Sequence, residues 1–239
     1  MPHNKRMKRG VRPHGRMPMH KNRLWTLGFL LVGVAYETAI AADSAVAERI
    51  TGDAVTAGQT SKGVVLLAVR WDRRWKCAGF ENAQLRVIGF DKLPSTKAND
   101  DAVADIVLDD APLVMTKPAF DNYAFLVEPG EYGLSRLEIK VARSVSDVGF
   151  FKVPRSKFLK DGQSLGGTFA VGAGEVVYLG HFYLDCHQQP ILWRYYPEGR
   201  EGFNGYLTSL KKSYPALDVE KVAFRLFQTK EFGQDYKLP

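Results

Sequence analysis

The amino-acid sequence predicts a mainly β protein, an antiparallel β-sandwich closed by a short C-terminal helical cap. Three observations carry that expectation. Val64-Val-Leu-Leu-Ala-Val-Arg-Trp71 is a short apolar run of the kind a buried strand makes. Short alternating segments bounded by Gly, Pro and Asp follow at modest spacing, the pattern of stacked antiparallel sheets. Near residue 200 the apolar period changes, and Phe203, Tyr206, Leu207, Leu210 and Tyr214 fall on one helical stripe ahead of Pro215.

Taken in order, residues 1–23 hold eight Lys and Arg and no acid, Leu24–Ala35 is apolar, and Ala39-Ile-Ala41 offers a small-residue cleavage site. That is the form of a secretory signal cut after Ala41, with translation starting at Met1, Met17 or Met19. The apolar run is twelve residues long, short of the roughly 20 that a spanning helix needs. Residues 42–62 lack an apolar period and read as a flexible lead-in, and 63–239 read as a single domain. Gln84-Leu-Arg-Val-Ile-Gly-Phe90 and Ala104-Asp-Ile-Val-Leu108 are expected strands separated by a polar loop. Pro129-Gly130 supplies the fixed φ and the positive φ of a type II turn, so it is expected to join two strands as a hairpin. After it, the slip in alternation between Leu134 and Leu137 predicts a bulge at Ser135 or Arg136. Gly172-Ala-Gly-Glu175 forms a second such unit with the strand Val176–Asp185. Asp218 is placed to cap a second helix through Val219, Val222, Ala223, Leu226 and Phe227, although Val222, Phe224 and Leu226 also fit a strand.

Charge excludes one class of function. The leader holds 8 of the 33 basic residues and 1 of the 26 acidic ones, so residues 42–239 carry 25 of each. The pI near 9.3 belongs to the leader, and no nucleic-acid partner is expected. Export places Cys77 and Cys186 in an oxidising compartment, where one disulfide is expected and two free thiols are the alternative.

Phe125-Leu-Val-Glu-Pro-Gly-Glu-Tyr132 and Phe169-Ala-Val-Gly-Ala-Gly-Glu-Val-Val-Tyr-Leu-Gly-His181 resemble a pattern of uncharacterised bacterial exported proteins. The Pro-Gly-x-Tyr segment also resembles those of carboxypeptidase regulatory-like and other immunoglobulin- or prealbumin-like sandwich modules. The resemblance covers about residues 63–185. It implies a fold of that kind and brings no catalytic residues.

The densest chemistry lies in His181-Phe-Tyr-Leu-Asp-Cys-His187. Strand alternation puts His181, Tyr183, Asp185 and His187 on one face and Phe182, Leu184 and Cys186 on the other. Cys186 therefore faces away from both histidines, which argues against a Cys/His nucleophile. Gly-x-Ser-x-Gly occurs once, as Gly162-Gln-Ser-Leu-Gly166, ahead of the strand-like Gly167-Thr-Phe-Ala-Val171 rather than the helix that a nucleophile elbow opens, and no serine nucleophile is expected. Asp185 and His187 are weak metal candidates. The expected state of this face is solvated, and no cofactor is expected. The acids at Asp100, Asp101, Asp109 and Asp110 read as solvated turns rather than calcium loops. Aromatics interleaved with arginines, Trp71, Arg74 and Trp75 with Trp193, Arg194 and Tyr195, form a candidate surface for a peptide or a sugar. The expected function is an exported, periplasmic or secreted, non-catalytic binding module for an envelope protein or glycan. The alternative is a periplasmic hydrolase or metal-dependent enzyme assembled from separated residues.

Overall fold

From Gly63 to Val69 every residue is buried, because this strand is covered on both faces. The computed structural model describes residues 47–51, 61–112, 118–187, 190–197, 199–229 and 236–237. The leader expected at 1–41 lies outside them.

In chain order the strands are β1 (Glu48–Arg49), β2 (Gly63–Val69), β3 (Arg74–Cys77), β4 (Phe80–Lys92), β5 (Ile106–Leu108), β6 (Asp121–Val127), β7 (Gly130–Ala142) and β8 (Val148–Val153). They are followed by β9 (Leu159–Lys160), β10 (Gln163–Ser164), β11 (Thr168–Val171), β12 (Val176–Asp185) and β13 (Ile191–Tyr196). Helix α1 (Gly199–Ser213), β14 (Val222–Phe224) and β15 (Tyr236–Lys237) complete the set. A seven-stranded sheet runs β1-β6-β2-β12-β13-β15 with β14 beside β12. A six-stranded sheet runs β11-β7-β4-β3, with β5 beside β4 and β8 beside β7. Inward residues of both, among them Val65, Leu67, Phe182 and Leu184 from one and Leu85, Phe90, Leu137 and Ile139 from the other, form the main core. Among the described residues the chain is therefore mainly β with one α-helix.

Most ladders are antiparallel, but β12 runs parallel to both β2 and β14, and β13 parallel to β15. Alternation within a segment says nothing about the direction of its neighbour, so these pairings were not legible. The predicted bulge is present: Gly89 pairs with Arg136 and Phe90 with Leu134, which leaves Ser135 unpaired.

Three expectations are corrected. Pro129-Gly130 is not a hairpin, because β6 belongs to the seven-stranded sheet and β7 to the six-stranded one. Gly130 takes a φ of +156°, and the Tyr132 hydroxyl donates to the Glu128 carbonyl at 2.7 Å, so the motif makes a corner between layers. The Gly172–Glu175 turn likewise carries the chain from β11 to β12, across sheets. Within the lead-in, β1 pairs with β6, and Ile50 is buried on the helix side of the sheet. The segment after Asp218 is a 3₁₀ turn at Val219–Lys221 followed by β14 rather than a helix. β13 pairs with β12 only from His181 onward, leaving the Val176–Tyr178 half of that edge open, and β14 fills it.

Candidate functional site

Cys77 and Cys186 are bonded, 109 positions apart in sequence. Cys77 ends β3 just before the Ala78-Gly79 turn, whose φ values of 47° and 86° are those of a tight hairpin turn. The bond thus fastens the tip of the β3–β4 hairpin to the end of β12 and joins the two sheets at one side of the molecule.

Beside that bond the sandwich is not closed. A groove of about 1040 Å³ runs between β8 and the start of β13. Its floor is core: Leu137, Ile139, Phe158 and Leu192 are all buried. Its rim is apolar and exposed, with Phe150 at 52%, Phe151 at 46% and Leu165 at 51% of their full accessibility. Burying such side chains is worth roughly 1.5–3 kcal/mol each, so leaving three in water around one cleft is a cost. Lys152 and Lys157 line the same groove, and among the described residues no acid does. Lys152 also reaches Glu138 at 3.7 Å.

The six predicted surface residues do not form one platform. Trp71 is only 2% exposed, and its indole donates to the Tyr123 hydroxyl at 2.6 Å. It continues the inward series Val65, Leu67, Val69 of β2, a period-two signal visible in the sequence. Arg194 and Tyr195 are buried as well, opposite Phe182 and His181 in the β12–β13 register. Arg74 lies over the Tyr183 ring at 4.5 Å, with Arg70 over the same ring at 4.4 Å. Of the set, Trp75 is exposed and Trp193 half-buried.

His181 is corrected more sharply. It is buried, not on a solvated face. Gly180 adopts a φ of +125°, and the β2 register slips between Tyr178 and His181, so parity changes along β12. Tyr178 and His181 consequently share one face. That face is covered by α1, whose Tyr206 ring lies 5.0 Å from the imidazole, and by Phe120 at 4.7 Å. The Tyr178 hydroxyl and His181 Nδ1 are 2.5 Å apart. Burial pushes the imidazole down to a pKa of about 3 and the Tyr178 and Tyr206 hydroxyls up.

No protein-family model, curated protein or solved structure matches this chain.

Function is therefore argued from the geometry alone. Asp185 accepts the His187 backbone N–H at 3.1 Å and so closes a turn. Among the described residues no three His, Cys, Asp or Glu side chains converge as a metal would require. The acidic loop at Asn99–Ala102 is taken up internally. Asp100 accepts the Arg155 backbone N–H at 2.6 Å, and the Asn99 and Ala102 carbonyls accept from its guanidinium. Arg155 in turn contacts Asp91, which Lys97 approaches at 3.5 Å while bridging to Asp105 at 2.6 Å. Asp110 pairs with Arg49 at 2.6 Å. These carboxylates thus hold loops and strands together. Sequence reasoning missed Phe150, Phe151 and Leu165, although Val148-Gly-Phe-Phe-Lys-Val153 is a conspicuous apolar segment.

Proposed function

We propose that this protein is an exported, non-catalytic binding module of the cell envelope and that the groove beside β8 is its ligand site. The observation that carries the reading is the opening itself: core residues at the floor, exposed aromatic and aliphatic side chains at the rim, and cations without acids along the wall. Sites of this size, mostly apolar with a few placed polar groups, are the usual form of a binding cleft. Export is supported by the leader and by the bonded cysteines, since such bonds persist in oxidising compartments. Among the described residues no helix is long and apolar enough to cross a membrane. We further infer an immunoglobulin- or prealbumin-like arrangement, supported by the face-to-face sheets and by a tyrosine hydroxyl that ties the inter-sheet corner. The hydrolase alternative gains nothing from His181, which lies beneath α1 away from solvent.

The test uses anilinonaphthalene sulfonate, an apolar probe with one negative charge, titrated into the full chain by fluorescence. Phe151→Glu and Leu165→Glu replace exposed rim residues, so the fold is expected to survive while probe affinity falls at least fivefold. Unchanged affinity in both variants would remove the groove as a site.

A further inference from the structure

One wall of the groove is a bare strand edge. The Arg143 backbone N–H donates to the Asp147 carbonyl at 2.9 Å, and the β7–β8 register then continues unbroken from Ala142–Val148 to Leu137–Val153. Hydrogen-bonded and non-hydrogen-bonded pairs alternate in an antiparallel ladder. Gly149, Phe151 and Val153 therefore exchange bonds with β7, and the backbone groups of Val148, Phe150 and Lys152 point outward. Among the described residues no strand pairs with that edge. Edges of this kind are ordinarily shortened, charged or covered, because a row of unpaired N–H and C=O groups recruits another strand. Here Lys152 is the one charge on the strand, and Val148 and both phenylalanines stand exposed beside it.

Resting on the groove as the ligand site, we propose that β8 accepts an extended segment of a partner protein as an added strand. The main chain of that segment pairs with Val148, Phe150 and Lys152. Its inward side chains, every second residue, extend the six-stranded sheet over the groove and pack on Phe151, Leu165 and Ile191. A carboxylate near one end of the segment meets Lys157, which makes no ion pair among the described residues. A simple amphiphile would use the groove and Lys157 but would leave the outward backbone groups of β8 unsatisfied, which is why a peptide is the better match.

The probe is a synthetic peptide of alternating Val and Thr ending in Glu, added to the full chain. Strand addition predicts slower hydrogen exchange at the Val148, Phe150 and Lys152 amides. Phe150→Pro removes one outward donor while sparing the bonds to β7, and it is expected to weaken the peptide at least tenfold. Phe150→Ala, which keeps the donor, weakens it less. The naphthalene sulfonate, which makes no strand bonds, binds Phe150→Pro and Phe150→Ala alike, within twofold of each other. The exchange measurement stands whether or not the proline variant folds. The proposal is overturned if the peptide leaves the three amides unprotected, or if proline and alanine act alike. It is also overturned if the chain alone protects them by forming a dimer, since a second copy is then the occupant. Peptide failure with the sulfonate still bound leaves the groove as an amphiphile site; failure of both removes the groove itself.

Discussion

The two sides of this fold treat apolar surface in opposite ways. Over the outer face of the seven-stranded sheet, α1 lays Tyr206, Leu210 and Tyr214 onto Val64, Leu66, Ala124, Val176 and Tyr178. The Tyr214 hydroxyl even reaches the Asn122 carbonyl at 3.0 Å. Between the sheets at β8 no described residue gives such cover, and Phe150, Phe151 and Leu165 are exposed above a floor of core residues. The same chain that seals a histidine under aromatic rings leaves a phenylalanine pair exposed. That contrast is the ground on which the groove is proposed as the ligand site.

The largest expected effect concerns the bond at the end of the groove. Replacing both cysteines by serine removes a cross-link over 109 residues, which the chain-entropy account values at about 4–5 kcal/mol. Denaturant unfolding of the variant measures it. A loss under 1 kcal/mol would mean that the two sides are held together without the bond.

The sealed side answers to pH. His181 is held neutral in the fold, with its pKa lowered to about 3 from 6.5, so between those values the unfolded chain binds a proton that the folded chain does not. Stability is fully present above pH 6.5 and is lost as pH falls toward 3, by an amount on the order of 5 kcal/mol for one proton at 1.36 kcal/mol per pH unit. Urea unfolding of the native chain and His181→Gln across this window separates the contribution of His181 from that of the carboxylates. Equal slopes would contradict a buried neutral imidazole.

A paired truncation compares the sides directly. Leu210→Ala in the helix, where the side chain is fully buried, is expected to cost about 3 kcal/mol. Leu165→Ala at the groove rim is expected to stay within about 0.5 kcal/mol. Thermal unfolding of the two variants reads the difference; similar losses would mean that the rim is packed as firmly as the helix.

Much of this architecture is legible locally, and the failures have a common origin. The Leu134–Leu137 slip placed the bulge at Ser135 or Arg136, and Ser135 carries it, because parity is written into consecutive residues. The α1 stripe was readable for the same reason. Pro129-Gly130 announced a turn but not a change of sheet, since turn chemistry is local and the choice of pairing partner is not. His181 was misplaced because Gly180 lets the strand slip, and no residue pattern around it reveals that α1 will lie above. β8 escaped notice because a strand exposed on both faces has no clean alternation, and its meaning depends on where β13 begins. Arginines flanking Trp75 suggested a surface, yet Arg74 is occupied by Tyr183.

The central claim is that one side of the molecule is sealed and the other open, and amide hydrogen exchange on the chain without ligand measures it residue by residue. The amides of Val177 and Leu179 in β12, in the middle of the seven-stranded sheet, are expected to exchange only on global unfolding. Those of Val148, Phe150 and Lys152 at the free edge of β8 are expected to exchange faster by at least a hundredfold. Equal protection at both sites would show that β8 is already covered and would contradict the account.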